Sequence, residues 1–389
     1  MTGYEAELER LDAEIARAGG AAALEPPTDA ERVTRYVYAL YQKASLSGDP
    51  AGLAAAEHAI ARGLPLLVHP GDLYFLKANV ALKLHRLDDA DAALDAVPNS
   101  ADNAEARLIR ADLDFQRGRY GDAEASYRAV AAEKSWGAFA RLAHFIAKMG
   151  DPDGADRLYQ EAQDELTAKE LRALAWLDVQ RGFLDFCRGR FADAQSHYRR
   201  ADAAYPGYWL VAEHIAEVSA AEGRFDAAIV MLERLAAAVS RPDLAQAIGE
   251  LHRLAGRSAA AAPWLGKALA GYRQSAERGE VHYWHHLADY YAEVEGNGAA
   301  AIEWAQRDVQ LRPHFSTQAA FAWALHRAGC FAEARQWIDR ALSCGVADAR
   351  LLDQAAVICR AAGDPDAGRN YEERANRLNP LVGRFHLHH

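Results

Sequence analysis

A short signature recurs along this chain of 389 residues, and its spacing limits what the chain can fold into. Each copy has a small residue, usually glycine, then two residues of which the second is often aromatic, and then an alanine-containing segment. The clearest copies begin at Gly118, Gly189, Gly223 and Gly329, and weaker copies begin at Gly48, His85, Gly150, Gly256, Gly296 and Gly363. A period of about 34 residues is typical of helical repeats, so the chain is predicted to form a solenoid rather than separate globular domains.

The unit around Gly223 shows how each repeat is built. Apolar residues recur at helical spacing before and after this glycine, which can close a helix because it has no Cβ. They are Leu210, Val211, Ile215 and Val218 before it and Ile229, Leu232 and Leu235 after it. The pattern predicts a helical hairpin that buries its remaining apolar face on the next hairpin. Small residues lie seven positions before eight of the turns, where they allow close helix approach: Ala78, Ala111, Ala143, Gly182, Ala216, Gly249, Ala322 and Ala356.

Composition agrees with an all-α fold and weighs against nucleic acid as a partner. Proline is scarce and confined to segment edges, and no stretch shows the alternating, β-branched pattern of strands. The chain has 55 acidic and 44 basic residues, which gives a formal net charge of −11. No stripe of lysine and arginine with interleaved aromatic residues offsets this charge, so we expect no nucleic-acid partner.

The sequence predicts a cytoplasmic protein without a membrane partner. Residues 1–7 have neither a basic start nor an apolar core of the kind a signal peptide needs, and no apolar run is long enough to span a bilayer. The cysteines form no C-x-x-C pair, so we interpret them as reduced, small core residues: Cys187, Cys330, Cys344 and Cys359.

The repeats resemble tetratricopeptide repeats, whose consensus combines a small residue, a turn glycine, aromatic residues, two alanines and a terminal proline. The unit at Gly189 matches this consensus best, through Gly182, Gly189, Phe191, Ala194, Tyr198, Ala201 and Pro206. The resemblance implies a right-handed superhelical solenoid of about ten antiparallel helical hairpins over residues 34–380. Residues 1–33 are predicted to be an acidic, amphipathic capping segment, and residues 381–389 a C-terminal tail.

In tetratricopeptide arrays the first helix of each hairpin lines a concave groove. Transferring that register to this chain places ten candidate ligand-binding residues in the groove: Phe183, Phe186, Glu213, Glu217, Glu250, Arg253, His286, Tyr290, Trp323 and His326. Carboxylates between aromatic rings suit lysine or arginine, which pair with carboxylates and stack on rings, so a basic partner segment is predicted. Two alternatives stay open: the aromatic residues pack against neighbouring helices, or the glutamates pair with Arg253, Arg327 and Arg360.

A metal site is a less favoured prediction for the segment around His282. His282 and His286 share a helical face only if residues 280–294 form one continuous helix, and Glu250 or Glu293 would then supply a further ligand. The same residues also fit a polar, aromatic binding face. The terminal segment 385–389 contains three further histidines, which could hold metal or belong to a tail.

The sequence favours an interaction module that binds a partner protein or peptide. Nucleotide-binding, zinc-protease and hydrolase motifs are missing, and no cofactor is predicted. Because an enzyme can lack such motifs, a catalytic or metal-handling protein remains an alternative. A third alternative is an accessory subunit that presents a peptide to a partner enzyme. The partner, the pathway and the oligomeric state stay open.

Overall fold

The computed structural model describes residues 1–26, 29–239 and 241–385. This part of the chain contains 21 α-helices, of which the first, α1 (Gly3–Arg17), precedes ten consecutive hairpins. The first helices of the hairpins are α2 (Ala30–Ser47), α4 (Gly71–Lys83), α6 (Ala104–Gln116), α8 (Trp136–Lys148), α10 (Leu171–Phe186), α12 (Trp209–Ala221), α14 (Pro242–Leu254), α16 (Trp284–Asp289), α18 (Phe315–Arg327) and α20 (Ala349–Ala361). The second helices are α3 (Pro50–Gly63), α5 (Leu87–Asp95), α7 (Tyr120–Ala131), α9 (Pro152–Asp164), α11 (Phe191–Ala204), α13 (Phe225–Ala238), α15 (Ser258–Glu277), α17 (Gly298–Leu311), α19 (Phe331–Leu342) and α21 (Pro365–Leu378). The prediction of an all-α array of about ten antiparallel helical hairpins is confirmed.

Each hairpin turns at the residue that the repeat signature marks. Gly189, for example, has a φ of 72°, and His85 takes the same left-handed conformation with a φ of 59°. Glycine adopts this conformation at low cost, so it ends the first helix and lets the chain reverse. None of the helices in the described ranges is both long and apolar enough to cross a bilayer.

The N-terminal helix packs on the array. Leu11 of α1 is fully buried in a cluster with Leu46 and Tyr208, and the backbone N–H of Tyr4 donates to the Pro206 carbonyl at 3.3 Å. Helix α2 begins at Ala30, so it crosses the boundary predicted between residues 33 and 34. Of the predicted tail, residues 386–389 lie outside the described residues.

Residues far apart in sequence meet because the superhelix winds back on itself. The Trp209 indole donates to the Leu46 carbonyl at 2.8 Å across 163 residues. The Phe315 amide donates to the Tyr120 hydroxyl at 2.7 Å across 195 residues. Consecutive superhelical turns therefore pack edge to edge. We call the edge formed by the ten hairpin turns the turn edge, and the edge formed by residues leading into the first helices the entry edge.

Candidate functional site

The two central glutamates of the predicted groove are buried inside the protein. Glu213 and Glu217, on α12, both have fully inaccessible side chains. Arg241 donates to Glu213 at 2.9 Å, and His214 Nδ1 lies 3.1 Å from Glu217 Oε2. Burial raises the pKa of Glu213, although Arg241 opposes this shift. The expectation that these carboxylates face an open groove is therefore corrected, because the first helices pack tightly enough to enclose them.

The predicted aromatic residues divide into buried and partly accessible groups. Phe186 is buried and stacks on Phe191 with ring centroids 5.3 Å apart, whereas Phe183 is half-buried. Tyr290 is also buried, and its hydroxyl donates to the Leu265 carbonyl at 3.0 Å. His286 stacks on Tyr272 at 5.4 Å. These contacts show that tertiary packing occupies Phe186 and Tyr290.

A second group of predicted residues keeps access to solvent. Trp323 and His326, on α18, are half-buried and stack with ring centroids 5.0 Å apart. The Trp323 indole donates to Glu293, and Arg327 lies 3.9 Å from the same carboxylate. This ring pair beside a carboxylate can contact a cation, but Arg327 already supplies a neighbouring one.

On helix α14, Glu250 and Arg253 also reach solvent. Glu250 is half-buried and accepts a hydrogen bond from the Gln246 amide at 2.8 Å. Gln246 in turn accepts from the Tyr272 hydroxyl at 2.9 Å, so the Glu250 side chain is tied to the packed core. Arg253 is exposed.

The segment around His282 does not form one continuous helix. His282 lies in a turn before α16, which ends at Asp289 and leads into a π-helical turn over Tyr290–Val294. Within residues 1–26, 29–239 and 241–385, no three His, Cys, Asp or Glu side chains are placed to hold a metal ion. The condition set for the His282, His286, Glu250 and Glu293 site is therefore not met. The terminal histidines lie outside the described residues.

Sequence reasoning missed a group of cations on the inner face of the superhelix, the face formed by the first helices. We call Lys83, Arg141 and Arg172 the inner basic site. Lys83 is exposed to solvent, yet desolvation by the surrounding protein lowers its pKa, and the two arginines lower it further. A side chain that is accessible to water but has protein on most sides lies in a concave part of the surface. Lys83 comes at the very end of α4, outside the register used for the groove, so the sequence carried no signal for it.

Lys83 differs from its neighbours in having no counter-charge. Arg141 pairs with Asp112 at 2.9 Å and Arg172 pairs with Glu7 at 3.1 Å. Lys83 makes no ion pair or hydrogen bond with any described residue. The inner basic site therefore carries an uncompensated positive charge that an anionic group can neutralise.

Further along the inner face, Lys148 has a counter-charge. Lys148 and Asp348 form an ion pair at 2.9 Å across 200 residues, and Asp348 raises the pKa of Lys148. Nearby, desolvation by the surrounding protein lowers the pKa of the His144 imidazole to about 4, although part of the side chain is accessible to solvent. This part of the inner face is thus polar, and its lysine is paired, in contrast to Lys83.

Comparisons with known proteins give structural likenesses at low identity. No family model matches the chain, and no curated protein matches it. Cut9 in the APC/C hetero-tetramer Cut9–Hcn1 is 15% identical with a TM-score of 0.45, over 97% of this chain and 80% of that one. Human IFIT1, in a dimer with PPP-AAAA, is 15% identical with a TM-score of 0.43, over 95% and 94%. MamA is 19% identical with a TM-score of 0.35, over 43% and 96%. At these values the likenesses carry no inference about function.

Proposed function

We propose that this protein is an interaction scaffold that holds a segment of a partner protein on the inner face of its superhelix. The observation that carries the proposal is Lys83, a solvent-accessible cation without a counter-charge inside the array. Charged groups that are partly desolvated and lack a counter-charge are candidate binding positions. The net charge of −11 supports a protein partner rather than nucleic acid.

The partner segment is proposed to carry charges of both signs. An acidic side chain would neutralise Lys83, which is flanked by Arg141 and Arg172. We keep the predicted basic character for the part of the partner segment that would lie near Glu250 and Glu293. It no longer includes Glu213 or Glu217, because a partner cannot reach fully buried carboxylates.

Selection from a library of peptides of about ten residues, which span roughly 30 Å when extended, tests this proposal on the full chain. Enriched peptides are expected to contain both acidic and basic residues. Lys83→Met should weaken their binding roughly tenfold, or about 1.4 kcal/mol, because one partly desolvated ion pair is lost. Lys169→Met, which removes a charge from an exposed loop, is the matched control and should leave affinity unchanged.

The Glu250→Gln variant tests the basic half of the segment. It should weaken the same peptides, and the loss should shrink at high salt, because ionic strength screens charge pairing. The proposal would be contradicted if neither Lys83→Met nor Glu250→Gln changed the affinity of the selected peptides.

The alternatives from the sequence share this face. An accessory subunit that presents a peptide to an enzyme would use the same contacts, with catalysis supplied by its partner. A metal-handling protein finds no support in the described ranges, where no ligand set is assembled. The cytoplasm remains the proposed compartment, on the sequence grounds given above.

A further inference from the structure

The first half of the turn edge is covered by the chain itself. A Cβ on Gly48 would come within 2.5 Å of Trp209, and a Cβ on Gly118 would come within 2.7 Å of the Pro313 carbonyl oxygen. The turns at Gly150 and Gly189 meet Ala347 and Asn379 in the same way, and the His85 ring lies 5.9 Å from that of His285. Trp209, His285, Pro313 and Ala347 lie at or just before the starts of first helices, on the entry edge one superhelical turn later, and Asn379 directly follows the last helix, α21.

The second half of the turn edge is open. A Cβ on the five later turn glycines would meet no atom of the described chain within 4 Å. These glycines are Gly223, Gly256, Gly296, Gly329 and Gly363. Since the repeats are alike, this open half has the same backbone form as the half that the chain covers, and it offers the same kind of docking surface.

Exposed apolar side chains lie on the open turn edge. Phe331 is 41% exposed and Leu254 is 56% exposed, each two residues from a turn glycine. Tyr120 holds the position equivalent to Phe331 in the covered half. There its ring packs against the rings of His314 and Phe315, with centroids 5.9 Å away in both cases. The covered half thus shows what an aromatic residue at this position contacts.

The first half of the entry edge carries a matching apolar concavity. The loop before α4 and the start of α2 enclose about 640 Å³, lined by Leu66, Leu67, Val68 and Tyr38 among others. Val68 is 87% exposed and Tyr38 is 49% exposed. Large exposed apolar groups that gather at one place tend to mark an interaction site.

We propose that a second copy of this chain docks its entry edge on the open turn edge of the first, so that the superhelix continues from one molecule into the next. The contact repeats between chains the edge-to-edge packing that already joins turns within one chain. It is head to tail, so each molecule keeps one open edge and the assembly can extend. The proposal is independent of the peptide-binding function, because it uses the edges rather than the inner face.

Sedimentation of the full chain over about 1 to 100 μM tests the association, since interfaces of modest size dissociate in that range. The weight-average mass should rise with concentration, and it should rise further with salt, because screening relieves repulsion between molecules of charge −11. A chain that stays monomeric up to the highest concentration at high salt would overturn the proposal.

Edge variants test where the molecules meet. Phe331→Glu on the turn edge and Val68→Glu on the entry edge should each abolish self-association. Val230→Glu is the matched control, because Val230 is 46% exposed but lies within α13, away from both edges. Far-ultraviolet circular dichroism establishes that each variant is folded. Equal loss of association in Val230→Glu would count against a contact at the edges.

Mixing the two edge variants separates a head-to-tail contact from a symmetric one. Phe331→Glu keeps an intact entry edge and Val68→Glu keeps an intact turn edge, so the mixture should form a dimer that cannot grow. A symmetric dimer would not be restored by mixing if both residues belong to its single interface. No dimer in the mixture would therefore overturn the proposed arrangement.

Discussion

The buried carboxylates of the described chain pair with basic side chains from their own or neighbouring elements. Asp308 and Arg312 illustrate this in α17 and just after it: both are buried, and the guanidinium contacts the carboxylate at 2.8 and 2.9 Å. Burial still raises the pKa of Asp308, although Arg312 opposes the shift. Removing one member of such a pair leaves a charge inside the protein, which costs far more than loss of a surface pair.

Arg312→Met should lower the free energy of unfolding by about 3 to 5 kcal/mol at neutral pH, because Asp308 loses its counter-charge. The loss should be smaller at low pH: Asp308 has a raised pKa in the folded state, so the folded variant is more stable when this group is protonated and loses stability as pH rises. Urea unfolding measures both effects. Arg307→Met, which breaks an exposed pair with Glu303, is the control and should cost within about 0.5 kcal/mol.

Three histidines that are desolvated in the folded protein make its stability depend on pH. Desolvation lowers the pKa of His85, His285 and His314 well below 6.5, and Arg312 lowers each further. The folded state therefore keeps these rings neutral while the unfolded chain takes up protons. Their contribution is complete above about pH 6.5 and is lost as pH falls from there towards the lowered pKa.

His285→Gln should reduce the fall in unfolding free energy below pH 6.5 by about 1.4 kcal/mol per pH unit, the contribution of one such group. The Nδ1 atom of His285 has no hydrogen-bond partner in the described part of the chain, so the substitution by glutamine removes no hydrogen bond at that atom. Urea unfolding at several pH values measures the slope. His58→Gln, at an exposed position on α3, is the control. Identical slopes in wild type and His285→Gln would contradict this assignment.

Between helices, the close approach inside each hairpin depends on small residues. A Cβ on Gly182 of α10 would clash with the Tyr198 ring of α11, which is fully buried. Ala194 on α11 is also fully buried. The small residue that the repeat places seven positions before the turn is thus required by the aromatic residue of the second helix.

Gly182→Ala should destabilise the protein by about 1 to 3 kcal/mol, because the added methyl displaces a packed ring. Gly266→Ala should instead stabilise it by roughly 0.5 to 1 kcal/mol. Gly266 is exposed within α15 with no atom of the described chain near its Cβ position, and alanine favours the helix. If Gly182→Ala stabilised the protein as Gly266→Ala does in thermal and urea unfolding, the helix contact at Gly182 would not be tight.

Across the whole molecule, stability depends on contacts between superhelical turns as well as between neighbouring hairpins. A simple solenoid gains stability only from each repeat and its neighbours. Here the bonds from Trp209 to Leu46 and from Phe315 to Tyr120 add coupling across more than 160 residues. We expect unfolding to be more cooperative than in a linear array.

Gly118→Ala and Gly329→Ala separate this coupling from backbone strain. Both glycines have left-handed backbone conformations, with a φ of 75° at Gly118 and 82° at Gly329. Alanine would therefore be strained to a similar degree at either position. Only the change at Gly118 pushes against the Pro313 backbone of the next superhelical turn. Gly118→Ala should therefore cost at least about 1 kcal/mol more than Gly329→Ala in urea unfolding at low protein concentration. Equal costs would show that the contact between Gly118 and Pro313 adds no coupling between superhelical turns.

The sequence by itself determined the helices and their pairing, because the turn signature and apolar periodicity act within about 34 residues and repeat ten times. It did not determine which charged residues reach solvent. Glu213 and Glu217 were predicted to face a groove but are buried, and Lys83 was not predicted yet stands exposed and unpaired on the inner face. These outcomes depend on how far each hairpin rotates against the next. Small rotations add up over many repeats, so only the tertiary structure decided that residues nearly 200 positions apart meet and that half of the turn edge stays open.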